Sequence, residues 1–76
     1  MVYERIRDLR EYKDLTLAAV GNAINASKRT YAYYESGERI IPLRIFVALA
    51  NFYGTSVDYL LDLTDDPIPH GWAKDK

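Results

Sequence analysis

Apolar residues recur at intervals of three and four along most of the 76-residue chain, and no stretch alternates with the two-residue period of a strand. The first such run predicts a helix from about Val2 to Lys13, with Val2, Ile6 and Leu9 as its apolar stripe, Tyr12 flanking it, and a break after Asp14. Thr16 is placed to cap a second helix, whose stripe is Val20 and Ile24 at i and i+4. Gly21 between them costs roughly 1 kcal/mol relative to Ala, which makes sense if another helix crosses too closely for a side chain. Asn25 follows the last apolar residue, where a left-handed conformation ends the helix, and Ser27 caps a third helix over 28–35. Two helices joined by so short a turn form a steeply crossed helix-turn-helix unit.

The third helix divides by face. At about 100° per residue, Lys28, Arg29, Ala32, Tyr33 and Ser36 lie outward, while Tyr31, Tyr34 and Glu35 lie inward. Gly37 is placed to end it. Pro42 suits the first turn of a fourth helix over 43–53, whose broad buried face is Leu43, Phe46, Val47, Leu49, Ala50 and Tyr53. Gly54 ends that helix, and Ser56 caps a fifth through about Leu63, burying Val57, Leu60 and Leu61. Five short helices with short connections make an all-α fold. Residues 1–64 form the expected domain. Residues 65–76, with Pro67, Pro69 and Gly71, read as a Pro-containing acidic tail whose Ile68 and Trp72 are apolar enough to fold back or meet a partner.

Composition narrows the function. The length suits one domain with a core just large enough to fold alone. Without cysteine there is no disulfide framework and no thiolate metal site, which fits a reducing cytoplasm. No apolar run approaches a membrane span, and no signal-peptide pattern opens the chain. The net charge of −1 is not that of a strongly basic nucleic-acid binder. Its distribution is uneven, however. Residues 27–57 carry Lys28, Arg29, Arg39 and Arg44 against Glu35 and Glu38, giving +2, whereas residues 58–76 carry five aspartates against two lysines, giving −3. That asymmetry can orient the molecule on DNA.

Catalytic chemistry finds no footing. His70 is the lone histidine and stands without a second ligand, so it reads as a surface residue rather than a metal or catalytic one. Asp65 and Asp66 are adjacent on the tail, not opposed across a cleft as paired-carboxylate hydrolysis requires. No nucleophile–base set and no glycine-rich phosphate loop are present, so the chain reads as a non-enzyme without cofactor or metal. Lys28 and Arg29 alone would suit an ordinary solvated face. With Gly21, Asn25 and Ser27 at matched spacing, a helix presenting Lys, Arg and Tyr suits the major groove instead.

Three stretches at colinear spacing resemble one family: ERIRDLREYKDLT (4–16), AAVGNAINASKRTYAYYESGER (18–39) and ALANFYGTSVDYLLDLTDD (48–66). The chain is similar to the Cro/phage-repressor type, the XRE or lambda repressor-like helix-turn-helix family. That resemblance implies a compact five-helix domain whose third helix docks in the major groove of double-stranded DNA, in a cytoplasmic, prokaryotic or phage-encoded transcriptional regulator acting as a repressor. It implies a homodimer on a pseudo-palindromic operator, with Val57, Tyr59 and Trp72 as candidate dimer contacts. Base contacts would come from Lys28, Arg29, Thr30 and Tyr33, and DNA-backbone contacts from Thr16, Ser27, Ser36, Arg39 and Arg44. Arg10 and Glu35 match a structural ion pair between the first and third helices.

The chain also departs from the family's pattern. Leu17 stands where glutamine is usual, Tyr31 where a smaller inward residue is usual, and Tyr33 where a longer polar side chain is common. Together with the net charge of −1, Leu17 and Tyr33 support a second reading. In it the chain is a protein-interaction module, like an antitoxin or anti-repressor, that keeps the fold but reads DNA weakly.

Overall fold

Every helix ends on the same backbone device. The computed structural model describes residues 3–68 and contains α1 (Glu4–Tyr12), α2 (Leu17–Ala23), α3 (Lys28–Ser36), α4 (Leu43–Tyr53) and α5 (Val57–Leu60). One or two positions past the end of each described helix, a residue takes a positive φ: Asp14 (56°), Asn25 (63°), Gly37 (82°), Gly54 (69°) and Asp62 (67°). The following amide then reaches back to the carbonyl five residues earlier, from Leu15 to Arg10, Ala26 to Gly21, Glu38 to Tyr33, Thr55 to Ala50 and Leu63 to Asp58, at 2.8–3.0 Å. Each closure satisfies carbonyls that the helix leaves open. Three of the five positions hold Asp or Asn, residues with short polar side chains that enter this region more readily than others with a Cβ.

The helix starts are equally regular from α2 onward. Thr16, Ser27 and Ser56 each accept the amide three residues ahead at 3.0 Å. α1 starts on Tyr3 without a side-chain cap, and Pro42, expected within the first turn of α4, occupies its N-cap position.

The core is built from Ile6, Val20, Ile24, Tyr31, Tyr34, Ile41, Ile45, Phe46, Leu49, Ala50 and Leu60. α2 packs most extensively on α3, α1 touches α3 and α5, and α4 packs on α5. The Tyr3 ring meets Phe46 edge-on, with centroids 5.1 Å apart and planes at 88°.

Several sequence expectations need correction. α1 begins at Glu4 and stops at Tyr12; Val2 lies outside the described residues, and Tyr12 is exposed instead of flanking the core. On α4 the buried face is rotated, so Ile45 is buried while Leu43 and Val47 are 68% and 44% exposed. α5 closes at Leu60, because Asp62 turns left-handed before the helix can reach Leu63. α3 runs one residue further, to Ser36.

Gly21 is tight for a different reason from the one expected. A Cβ there would lie 2.9 Å from the Ala26 carbonyl oxygen and 3.1 Å from that of Ser27. The neighbours are the backbone of the turn and of the N-cap that opens α3, not a side chain of a crossing helix. The segment after α5 is also anchored. Arg5 donates to the carbonyls of Thr64 (2.6 Å) and Tyr59 (3.2 Å) and pairs with Asp65 and Asp62, and Thr55 donates to the Pro67 carbonyl.

Candidate nucleic-acid interface

The geometry of α3 follows from its two ends. At the start, the Ser27 hydroxyl accepts from the Thr30 amide and donates to Thr30 Oγ1, both at 3.0 Å. At the end, Gly37 in the left-handed region turns the chain so that the amides of Glu38 and Arg39 both point to the Tyr33 carbonyl. Between them, Tyr31 is fully buried and Tyr34 and Glu35 nearly so. The opposite face carries exposed Lys28, Arg29 and Ser36 beside partly exposed Thr30, Ala32 and Tyr33.

Charge on α3 is separated by the same division. Glu35, the helix's only acid, faces inward and is bound by Arg10 through Nε at 2.7 Å and Nη2 at 3.1 Å. Arg10 spends its remaining reach on the Leu15 carbonyl, at 3.0 Å. The hydrogen bond to Glu35 raises the guanidinium pKa against the opposing effect of burial, so Arg10 stays charged. The Tyr31 and Tyr53 hydroxyls are buried without a partner at hydrogen-bonding geometry. Burial first, and the neighbouring Glu35 carboxylate second, push the Tyr53 hydroxyl up to about 12, and Tyr31 is pushed up in the same direction. With Glu35 neutralised from inside, Lys28 and Arg29 leave the outer face uniformly positive.

Three outward residues come together at one point. Arg29 Nε donates to the Tyr33 hydroxyl at 3.1 Å, and the guanidinium carbons of Arg29 and Arg39 lie 5.8 and 5.2 Å from the Tyr33 ring centroid. The i, i+4 spacing of Arg29 and Tyr33 was a readable signal of this contact. The approach of Arg39 was not, because it depends on how the chain leaves α3.

The other sequence candidates lie more apart. Thr16 and Ser27 use their hydroxyls as helix caps. Ser36 Oγ lies 3.2 Å from both the Tyr33 carbonyl and Glu38 Oε2, and Arg44 is exposed in the first turn of α4. Leu17 lines a shallow groove of about 230 Å³ with Arg7, Arg10, Ala32, Glu35 and Ser36. Of the dimer candidates, Val57 and Tyr59 are half-buried, with Arg5 stacked 4.1 Å from the Tyr59 ring centroid. Trp72 and His70 lie outside the described residues. No group of metal-ligating side chains gathers among the described residues, and no described helix is long and apolar enough to cross a membrane.

Comparison with known proteins gives this geometry a context. A family model described as a helix-turn-helix domain matches residues 4–63. An HTH-type transcriptional regulator of Bacillus subtilis (strain 168), YobD, is 42% identical over 69 residues, covering 91% of this chain and 62% of that protein. The cryptic phage CTXphi transcriptional repressor RstR of Vibrio cholerae is 39% identical over 61 residues, covering 80% and 55%. The HTH-type transcriptional regulator AnsR of Bacillus subtilis (strain 168) is 36% identical over 61 residues, covering 80% and 53%. The chain thus spans a little over half the length of these relatives. No solved structure is significantly similar to it.

Proposed function

The chain belongs to the helix-turn-helix domain family, and on that premise we propose that it is a sequence-specific, double-stranded DNA-binding transcriptional regulator, a repressor acting in the cytoplasm of a prokaryote or phage host. α3 is the element that enters the major groove. The observation that carries this reading is the division of α3: its acid is sequestered by Arg10, while Lys28 and Arg29 project from the face opposite the core. Arg and Lys in such a position meet the N7 and O6 acceptors of guanine. Thr30 lies within the same first turn, and Ser36, Arg39 and Arg44, beyond it, are the residues we assign to phosphates. The capping hydroxyls of Thr16 and Ser27 sit at helix starts, where backbone contacts to phosphate are common.

The regulator works as a homodimer on a pseudo-palindromic operator. Its contact is assigned to α5, at Val57 and Tyr59, with Trp72, outside the described residues, as the third candidate. Exposed Ile40, Leu43 and Val47 supply the competing apolar surface. Sedimentation of Val57→Glu and Val47→Glu variants decides between the two, since only the variant at the true contact dissociates.

The reading is tested by selecting sequences from a random duplex pool at two salt concentrations. A palindromic motif with half-sites about ten base pairs apart, and affinity falling steeply with salt, is the expected result. Weak binding with no enriched motif would instead favour a protein-interaction module of the antitoxin or anti-repressor kind.

A further inference from the structure

We propose that Tyr33 is a positioning residue that holds Arg29 for the recognition of one guanine, and does not itself read a base. This rests on α3 reading DNA and adds the device by which one of its side chains is aimed.

The Tyr33 hydroxyl accepts Arg29 Nε at 3.1 Å in the free protein. With Nε engaged, the terminal Nη1 and Nη2 remain as the pair of donors for a ligand. That pair matches the paired acceptors, O6 and N7, that guanine displays in the major groove. A long, exposed arginine otherwise samples many rotamers that binding must freeze. Here a single turn of helix supplies the restraint, since positions 29 and 33 are neighbours at i, i+4.

The ring itself is held in turn. Tyr33 is only partly exposed, and Arg39 approaches its ring at 5.2 Å, a cation–π distance. Arg39 is held at its backbone by the hydrogen bond that its amide N–H donates to the Tyr33 carbonyl, at 3.3 Å. Leu17, at the start of α2, has no polar atom with which to brace a base-reading side chain.

The experiment is a double-mutant cycle on the operator recovered from random duplex, with binding and base preference measured for wild type, Tyr33→Phe, Arg29→Ala and the double variant. The expected result is that Tyr33→Phe weakens operator binding about fivefold to tenfold and relaxes the guanine preference at one position per half-site, as Arg29→Ala does more completely. Added to Arg29→Ala, Tyr33→Phe should have almost no further effect. Thermal unfolding of Tyr33→Phe is measured alongside and should match wild type, which separates positioning from a structural role. An unchanged guanine preference in Tyr33→Phe, or an equal loss from Tyr33→Phe in both backgrounds, would overturn the assignment while leaving DNA reading intact. Failure of wild type to enrich any motif would instead remove the premise.

Discussion

Arg10 grips both carboxylate oxygens of Glu35, at 2.7 and 3.1 Å, and so fastens α1 to the last turn of α3. The side chains are 15% and 8% exposed, which makes the pair largely desolvated. Removing one partner of such a pair leaves a buried charge without compensation. Glu35→Ala should therefore cost about 3 kcal/mol, the low end for a buried pair because Arg10 keeps some solvent. In a domain of this size that lowers the unfolding midpoint by roughly 12–24 °C. Replacing both residues with methionine should recover more than half of the loss, as read by thermal denaturation. Additive losses would show that the pair is not the source.

Gly21→Ala sets two effects against each other. Alanine gains about 1 kcal/mol of helix propensity. Its Cβ, however, would stand 2.9 Å from the Ala26 carbonyl oxygen, and that oxygen is held by the turn. Backbone cannot swing aside as a flexible side chain can, and overpacking of this kind costs about 1–3 kcal/mol. The clash should win, so the variant unfolds at lower temperature and lower denaturant than wild type. A stabilised Gly21→Ala protein would mean that the turn relaxes freely.

Buried phenols set the alkaline limit. Tyr53 is pushed up to about 12 by burial and by Glu35, and Tyr31 is raised in the same sense. In the unfolded chain both ionise near 10, by the usual value of roughly that size. The folded state thus holds these protons more tightly than the unfolded one. For Tyr53 that stabilisation is complete below about pH 10 and is lost as pH rises through about 12. Tyr53→Phe has no proton to lose, so its midpoint should fall less steeply than wild type over that window. At neutral pH it should equal wild type or exceed it by up to about 1 kcal/mol, because the hydroxyl it removes has no hydrogen-bond partner. Identical alkaline slopes for the two proteins would refute the attribution.

What could be read from the sequence was local. Thr16, Ser27 and Ser56 act at a distance of three residues, and Asn25, Gly37 and Gly54 end helices through their own conformation. Each of these was visible without knowledge of the fold, and the structure places each as expected. The inward set Tyr31, Tyr34 and Glu35 was equally legible, since a three-turn helix with one polar face has only one way to lie down. The errors came where packing partners decide. Leu43 and Val47 are as apolar as Ile45, so composition could not say which edge of α4 turns to the core. Tyr3 and Arg5 gave no local sign of their roles, because Phe46 and Thr64 lie far along the chain. The break at Asp14 was legible, whereas Asp62 gave no local sign that its left-handed conformation closes α5.

The anchoring of the segment after α5 has a kinetic side. Arg5 binds partners 54, 59 and 60 residues away, whereas α2, the turn and α3 are assembled from contacts a few residues apart. Contacts that close long loops form late, after local pieces have paid their smaller entropy. Arg5→Ala should therefore refold at nearly the wild-type rate but unfold faster, a split that stopped-flow chevrons resolve and that equal changes in both limbs would contradict. The half-life of the folded domain, and with it the time α3 remains presented, is then governed by a clasp between the two distant ends of the described chain.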